Sequence, residues 1–308
     1  MPADGKATKI VILINGSGPH DRNEELMNHR PFLVWSDWLT RHGIAVLRYD
    51  DRGVGKSTGD FNTAITADLA NDVEAAMTYI QSRTDLKDLS IGLIGHSEGG
   101  LIAPMVASRN KAVKFIVLLA GPGVPNIDLM AKQTEDLARV AGVPEKTAQL
   151  AGEHNKVFYN VVAQNSTLTA AELKPLLDTA VYKLFRSEVP GIGNIILAQT
   201  AQQYYLLLTP WYRYFLNLNP ADYLIKIKIP VLALDGTKDL QVNGEQNLAG
   251  IKTSLEKAGN KHFEVVLLPD LNHLFQKAAT GSVDEYSQIT ETVDPIALEK
   301  VSGWINQL

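Results

Sequence analysis

Short apolar segments rich in β-branched residues recur along the chain, and each stops at a glycine or a polar turn. Helical patterns separate most of these segments, which cover residues 9–15, 44–49, 89–94, 115–119, 229–234 and 263–268. Parallel strands have this character because both faces of their sheet are covered. Strands alternating with helices therefore predict an α/β fold, with a mostly parallel sheet flanked by helices.

The alternation of strands and helices stops at Gly121 and resumes only after residue 222. The intervening sequence shows no strand pattern and has four helical patterns, roughly at 127–140, 144–165, 170–188 and 195–208. Pro144 suits the first position of a helix, and Thr169 with Glu172 has the spacing of a capping box. We therefore predict a core formed by residues 1–121 and 223–308, with an inserted all-helical cap, or lid, at 122–222.

The composition excludes several classes of protein. The 308 residues carry a net charge of −5, are 45% hydrophobic and include no cysteine. A mildly acidic chain gives no support for nucleic-acid binding, and without cysteine there are no disulfides, cysteine nucleophiles or thiolate metal sites. No apolar run reaches the roughly 18 residues of a membrane span, and no basic amphipathic stretch suggests a membrane surface. The N-terminus does not resemble a signal peptide, which leaves the compartment of this soluble chain open.

The sequence Gly95-His96-Ser97-Glu98-Gly99 follows a predicted strand and opens a predicted helix. This setting is that of a nucleophile elbow, a sharp turn that presents a serine hydroxyl beyond the carboxyl end of a sheet. Small residues two positions to either side of the serine let the strand and the helix approach closely. Ser97 is therefore the predicted nucleophile; the alternative is an ordinary capping serine in a tight turn.

A serine hydroxyl is a weak nucleophile and requires a neighbouring base. Of the seven histidines, His273 alone follows the carboxyl end of a strand late in the chain, where reactive groups of such a sheet gather. The others come too early, lie in the helical insertion or precede a strand, and His96 lies inside the elbow with its side chain expected to point into the fold. His273 is the predicted general base; the alternative is a loop histidine bonded to backbone.

The acid that orients the histidine is expected after the preceding strand, where Asp235 and Asp239 are candidates. Asp239 is preferred, because its loop can reach the histidine, whereas Asp235 ends the strand and is expected to bond the adjacent turn. Asp270 is a lesser rival, too close in sequence to His273 for an easy approach.

Backbone amides are needed to bind the oxyanion of the tetrahedral intermediate. We expect them from Glu98, directly after the nucleophile, and from Ser17, in the loop after the first strand. A simple glycine-rich turn is the alternative for that loop. The chain has no H-E-x-x-H motif, no carboxylate cluster at metal spacing and no phosphate-binding loop, so no metal and no cofactor is predicted.

These segments together resemble the α/β-hydrolase superfamily, and most nearly its bacterial esterases and serine-aminopeptidase-like hydrolases. The matching residues are Asn15-Gly16-Ser17-Gly18, Asp51 to Ser57, the elbow at Ser97, Asp239 with Val242, and Leu271-Asn272-His273. The resemblance implies metal-independent hydrolysis through an acyl-enzyme. It also implies a structural, not a catalytic, role for residues 52–55.

The sequence departs from the family pattern at two places. Many relatives have histidine at the position of Asn15, so we expect the oxyanion loop to be pinned differently. Relatives usually have two strands before the one at Lys9, and here the chain begins in what resembles the loop after them, as in a truncated or mis-started product. The strand at Ile44 is then expected at the edge of the sheet, where it could pair with a second copy.

The sequence therefore predicts a serine esterase with a small-molecule ester as partner, active as a monomer or a homodimer. A peptidase or thioesterase of the same fold, and a non-catalytic ligand-binding protein, are the alternatives. Ligand sites are mostly apolar and aromatic, so some aromatic residues of the insertion are predicted to line the substrate pocket, although packing of the cap is the simpler interpretation of each: Tyr205, Trp211, Tyr212 and Phe215. The acyl and alcohol specificity stays open.

Overall fold

The computed structural model describes residues Met1–Leu308, which form two compact units. The first unit, called the core below, consists of Met1–Asn62, Ala67–Val124 and Asn219–Leu308. The second, called the helical unit, consists of Thr63–Thr66 and Pro125–Leu218. Its longer segment begins and ends close to the predicted limits at 122 and 222. No pattern in the sequence indicated that the short segment at 63–66 belongs to it.

A six-stranded, entirely parallel sheet forms the centre of the core. Its strands are β1 (Lys9–Ile14), β2 (Ala45–Leu47), β3 (Ser90–His96), β4 (Val113–Leu119), β5 (Val231–Gly236) and β6 (Phe263–Leu268). They lie in the order β2-β1-β3-β4-β5-β6. The predicted α/β class with a parallel sheet is confirmed, and β2 lies at an edge as expected. β2 is shorter than predicted, because only three of its residues pair with β1.

The chain has eleven α-helices, of which some flank the sheet and the others form the helical unit. In chain order they are α1 (Pro31–Arg41), α2 (Thr66–Ser82), α3 (Glu98–Ala107), α4 (Asn126–Val140), α5 (Glu145–Gln164), α6 (Ala170–Glu188), α7 (Asn194–Gln202), α8 (Pro210–Phe215), α9 (Ala221–Leu224), α10 (Gly244–Ala258) and α11 (Pro295–Gln307). None combines the length and the apolar character that a membrane span requires.

The apolar strands are buried because helices cover the sheet. One cluster of the core joins Val11 and Leu13 of β1 to Phe32 and Trp35 of α1, and extends to α11 through Val301. Burial of this kind contributes roughly 1.5–3 kcal/mol for each large apolar side chain. The packing of α1 and α11 thus buries one face of the sheet.

The helical unit has a hydrophobic cluster of its own, centred on the fully buried side chains of Phe158, Val162, Leu173, Leu177 and Val181. The predicted capping box is present: the Glu172 carboxylate accepts from the Thr169 amide at 2.9 Å, and the Thr169 hydroxyl accepts from the Glu172 amide. All secondary structure in this unit is helical, as predicted.

Two helix limits in this unit differ from the prediction. Pro144 caps α5 with an extended backbone (ψ 141°) and is not its first helical residue. The pattern at 195–208 also splits, because Tyr204 leaves α7 and packs against Phe158, at 4.5 Å between ring centroids. A short 3₁₀ turn at Tyr205–Leu208 follows, and Thr209 then caps α8, a helix that the sequence did not predict.

Candidate active site

The elbow between β3 and α3 holds Ser97 in a strained backbone conformation. Its φ of 53° and ψ of −120° fall in a region that costs a non-glycine residue on the order of 1–3 kcal/mol. The Ser97 amide donates to the Leu119 carbonyl at 2.9 Å, which anchors the turn to β4. Its hydroxyl makes no capping bond to α3. The interpretation of Ser97 as an ordinary capping serine is therefore wrong, and its hydroxyl is presented at the carboxyl end of the sheet.

Glycines allow the close crossing on which this turn depends. A Cβ at Gly95 would lie 1.9 Å from the Gly99 carbonyl oxygen. A Cβ at Gly99 would lie 2.2 Å from the Ile14 carbonyl oxygen in β1. Because both obstacles are backbone atoms that cannot rotate away, the spacing of glycine about Ser97 follows from the approach of α3 to two strands.

A buried pair joins two of the predicted catalytic side chains. Nδ1 of His273 lies 2.6 Å from Oδ2 of Asp239, and both side chains are at most 5% exposed. The other carboxylate oxygen of Asp239 accepts from the amides of Gln241 and Val242, at 2.8 Å each. An ionised Asp239 can only accept, so Nδ1 of His273 carries the proton and Nε2 of a neutral ring is left as a base.

The loop that carries His273 is shaped by the side chain of Asn272. Its Oδ1 accepts from the amides of Leu274 and Gln276, and its Nδ2 donates to Oε1 of Gln276 at 3.0 Å. Both polar atoms of the buried Asn272 carboxamide thus bond to residues at most four positions away. The histidine thus stands on a turn that does not depend on substrate for its shape.

His96 brings this loop next to the elbow. Its Nε2 lies 2.9 Å from the carbonyl oxygen of His273, and the two imidazole rings are 4.8 Å apart between centroids. The His273 ring bonds to Asp239, and it makes no hydrogen bond to the Ser97 hydroxyl. In an enzyme without substrate such a catalytic bond is often long or poorly aligned.

The two rival acids have other partners. Asp235 is fully buried, and its Oδ1 accepts from the adjacent Gly236 amide at 2.7 Å, as the sequence suggested. Burial, and then the nearby carboxylate of Asp239, raise the pKa of Asp235 well above its ordinary value. Asp270 is exposed and lies 3.4 Å from Nζ of Lys238.

The loop after β1 lies directly against the nucleophile. A Cβ placed on Gly16 would lie 3.2 Å from Cβ of Ser97. The Gly16 amide donates to Oε1 of Glu24 at 2.8 Å and is therefore already used. The next amide along the chain belongs to the exposed Ser17. On the other side of the nucleophile, the Glu98 amide stands at the N-terminus of α3, where the helix dipole favours negative charge.

Asp51 and His20 hold the rest of this loop. The Asp51 carboxylate accepts from Nδ2 of Asn15 at 3.0 Å and from the amide of His20 at 2.9 Å. The His20 ring in turn lies 3.0 Å from the carbonyl oxygen of Ser17. Burial raises the pKa of Asp51 to about 6. Carboxylates thus hold the loop in place, and one of them, that of Asp51, binds the asparagine at position 15.

Arg52 and Gly55 have structural surroundings. Nε and Nη2 of Arg52 donate to the two carboxylate oxygens of Asp72 at 2.8 Å each, which ties the loop to α2. A Cβ at Gly55 would lie 2.7 Å from Oδ2 of Asp50. These contacts agree with the structural role that the family resemblance implied.

The four aromatic residues predicted for the substrate pocket belong to the helical unit and pack within it. The Tyr205 hydroxyl donates to Oδ1 of Asp178 at 2.9 Å. The ring of Trp211 stacks on Phe215 at 4.5 Å and meets Tyr212 edge-on at 4.6 Å. These contacts account for packing, and a role of the four rings in binding substrate stays a prediction.

Sequence reasoning missed one component of the site, Glu24. It is 2% exposed, has a φ of 52° and contacts both the Gly16 amide and the His96 ring. The run Asp21-Arg22-Asn23-Glu24 looks like an ordinary polar loop, because no spacing rule links a glutamate in it to a histidine 72 positions later. A strongly polar segment directly after a predicted oxyanion loop was the only available signal.

The parallel sheet, the elbow and the Asp239–His273 pair define the α/β-hydrolase fold and the kind of site that it carries. A family model described as serine aminopeptidase, S33, matches residues 6–199. The chain belongs to that family.

Individual proteins are also similar to this chain. Esterase EstD of Thermotoga maritima is 25% identical over 305 residues, which cover 99% of this chain and 64% of EstD. This chain therefore spans less than two thirds of that relative's length. Esterase Pf2001 of Pyrococcus furiosus has a similar fold, with a TM-score of 0.58 and 17% identity, covering 99% of this chain and 84% of that one. Est1E from Butyrivibrio proteoclasticus, solved with ferulic acid bound, has a TM-score of 0.54 and 18% identity, covering 100% and 92% of the two chains.

Proposed function

We propose that this chain is a serine hydrolase that cleaves carboxylic esters through an acyl-enzyme. The observation that carries the proposal is the buried 2.6 Å contact between Asp239 and His273, which stands beside a strained serine elbow. The bonds from two amides to the other oxygen of Asp239 support a role of this carboxylate in orienting the ring. The name of the relative EstD, an esterase, supports the choice of esters.

In the proposed reaction, Nε2 of His273 takes the proton of the Ser97 hydroxyl while Oγ attacks the ester carbonyl. Asp239 keeps the ring in the correct tautomer and stabilises the imidazolium that forms. The oxyanion accepts hydrogen bonds from the amides of Ser17 and Glu98. His273 then protonates the leaving alcohol, which breaks the carbon–oxygen bond and leaves the acyl group on Ser97.

Water completes the cycle by the same route. His273 removes a proton from water, the resulting hydroxide attacks the acyl carbon, and the proton returns to Oγ of Ser97 as the carboxylic acid leaves. Each step uses only side chains and amides of the core. The partial positive charge at the start of α3 favours both oxyanion intermediates.

The decisive variant is Ser97→Ala, with hydrolysis of a short-chain p-nitrophenyl ester as the measurement. We expect kcat to fall by about six orders of magnitude, because the catalytic groups act as a unit. Ser108→Ala is the matched control: this serine ends the same helix, its hydroxyl bonds the Met105 carbonyl, and its removal should leave the rate unchanged. A fluorophosphonate should label the wild type and not Ser97→Ala. Unlabelled wild-type protein with no esterase activity would favour a non-catalytic binding protein.

The alternative reaction of the same site is cleavage of an amide or a thioester. The description of the matching family as serine aminopeptidase favours a peptidase as the second candidate. Esters, thioesters and aminoacyl amides that share one acyl group distinguish the three activities through their values of kcat/KM. A ratio that favours the amide would replace the esterase proposal while leaving the three catalytic residues in place.

The proposal also covers the role of the helical unit. We propose that it acts as the cap predicted from the sequence and that Tyr205, Trp211, Tyr212 and Phe215 contribute to substrate selection. The support is the aromatic character that ligand pockets share. A small-molecule ester is the proposed partner, bound by a monomer or a homodimer.

A further inference from the structure

Both ring nitrogens of His96 face oxygen atoms, those of a carboxyl group on one side and of a backbone carbonyl on the other. Nδ1 lies 2.9 Å from Oε1 of Glu24, and Nε2 lies 2.9 Å from the carbonyl oxygen of His273. The ring and the Glu24 carboxylate are both buried, with side chains 8% and 2% exposed. Solvent therefore donates no hydrogen bond to either ring nitrogen of His96.

These two contacts decide the charge of the His96 ring. A neutral imidazole has one donor and one acceptor nitrogen, so either tautomer would set a lone pair against the oxygen of Glu24 or of His273. Beside an ionised Glu24, only a doubly protonated ring satisfies both contacts. Oε1 of Glu24 already accepts from the Gly16 amide at 2.8 Å, which favours its ionised form.

The electrostatic balance agrees with this assignment. Burial would lower the pKa of His96, but Glu24 outweighs that effect and the net pKa is raised. Burial would likewise raise the pKa of Glu24, yet the His96 ring, His20 and the Gly16 amide together lower it. The two groups thus hold one another in their charged forms.

We propose that His96 is a positioning residue, held as a permanent imidazolium, which together with Glu24 couples the oxyanion loop to the segment that carries the general base. The proposal rests on the proposed function, since it concerns how that site is assembled. In this proposal His96 and Glu24 touch no substrate, and their role is to align Ser17 and His273.

The coupling follows a short chain of hydrogen bonds. The Gly16 amide binds Glu24, Glu24 binds Nδ1 of His96, and Nε2 of His96 binds the His273 carbonyl. Fixing the Gly16 amide orients the following peptide, which contains the Ser17 amide. Fixing the His273 carbonyl holds that residue's backbone beside the elbow. One charged ring thus controls two sides of the reaction centre.

Other charged groups surround the pair and modulate its titration. Asp239 acts on His96 and favours its charged form. His20 acts on Glu24, and Asp51 interacts with Glu24 as a like charge. The His273 ring, 4.8 Å from that of His96, also faces it. A change of pH therefore acts on a cluster, and the charge of His96 must be observed directly.

The first experiment observes that charge without any assay of activity. In protein labelled with ¹⁵N-histidine, we expect both nitrogens of His96 to show the shifts of an imidazolium at pH 7.5, above the ordinary pKa of about 6.5. The resonances are assigned by their loss in His96→Gln. A neutral ring at this pH overturns the proposal, whether or not the protein hydrolyses esters. An absence of Ser97-dependent hydrolysis would instead overturn the proposed function.

The second experiment tests the positioning role. Glu24→Gln keeps the shape of the side chain and removes its charge, so His96 should become neutral and kcat should fall by about 10–10²-fold, less than the loss of a whole oxyanion donor. KM should change less than about 3-fold, because no substrate contact is removed. Glu25→Gln is the control, since this neighbour is exposed and pairs with Arg30. Wild-type kcat in a folded Glu24→Gln protein overturns the positioning role.

Discussion

At the scale of single residues, two buried aspartates four positions apart have acquired different properties from their surroundings. Asp239 accepts from two amides and contacts the His273 ring. Asp235 receives a single amide on one oxygen, and its other oxygen has no donor. Burial and the nearby Asp239 carboxylate raise the pKa of Asp235 well above its ordinary value.

This difference predicts opposite results for two identical substitutions. Asp239→Asn should lower kcat/KM by about 10⁴-fold, because the amide favours the wrong tautomer of His273. Asp235→Asn should keep most of the activity, since it replaces a carboxyl whose oxygen accepts from the adjacent Gly236 amide with a group of the same shape. Ester hydrolysis by the two purified variants, with circular dichroism to verify folding, checks the prediction. If Asp235→Asn were the inactive variant, the acid of the site would have to be reassigned.

At the scale of elements, the position of the nucleophile depends on how closely α3 approaches the sheet. Gly95 and Gly99 remove the side chains that would keep the helix away from β1 and from the turn. The same proximity lets the oxyanion loop reach Ser97, because that loop continues directly from β1. Close backbone packing thus brings the catalytic elements together.

Gly99→Ala should therefore destabilise the protein strongly. The added Cβ would lie 2.2 Å from the Ile14 carbonyl, so the helix or β1 must shift, at a cost of about 3 kcal/mol or more in the free energy of unfolding. Gly303→Ala is the matched control, because this exposed glycine of α11 has no atom near its Cβ position. That change should stabilise the protein by up to about 1 kcal/mol. Urea unfolding measures both, and equal effects would contradict the packing argument.

At the scale of the whole molecule, the core and the helical unit bury separate sets of apolar side chains. The set around the sheet comes from segments far apart in sequence, and the set in the helical unit from a nearly continuous segment. Each of the two units buries its own apolar side chains. This division lets the helical unit vary without changing the elements that hold the three proposed catalytic side chains.

Separate cores predict separate responses to core substitutions. Leu177→Ala in α6 and Leu232→Ala in β5 each truncate a fully buried leucine and should cost about 2–5 kcal/mol. Hydrogen exchange measured by mass spectrometry should accelerate mainly within residues 125–218 for Leu177→Ala, and mainly in the sheet for Leu232→Ala. Equal acceleration across the whole chain in both variants would show that the two units unfold together.

The local features of this protein could be predicted from its sequence, because they depend on neighbouring residues. The periodicity of apolar residues predicted the parallel strands and most helix limits, and the capping box at Thr169 followed from spacing alone. The elbow at Ser97 was recognisable because glycine, serine and glycine at this spacing are typical of one kind of turn, the nucleophile elbow. The choice of His273 and Asp239 used chain order in addition, and their contact agrees with that choice.

Contacts across the sheet could not be predicted, because they join residues with no fixed spacing in sequence. The contact of Glu24 with His96 depends on the pairing of β1 with β3, and the contact of His96 with the His273 carbonyl depends on the position of β6 in the sheet. The pKa shifts of His96 and Asp235 come from burial and from neighbours that the fold supplies. A chain's residue types fix which groups can ionise, whereas desolvation and hydrogen-bond partners in the folded state select which of them do.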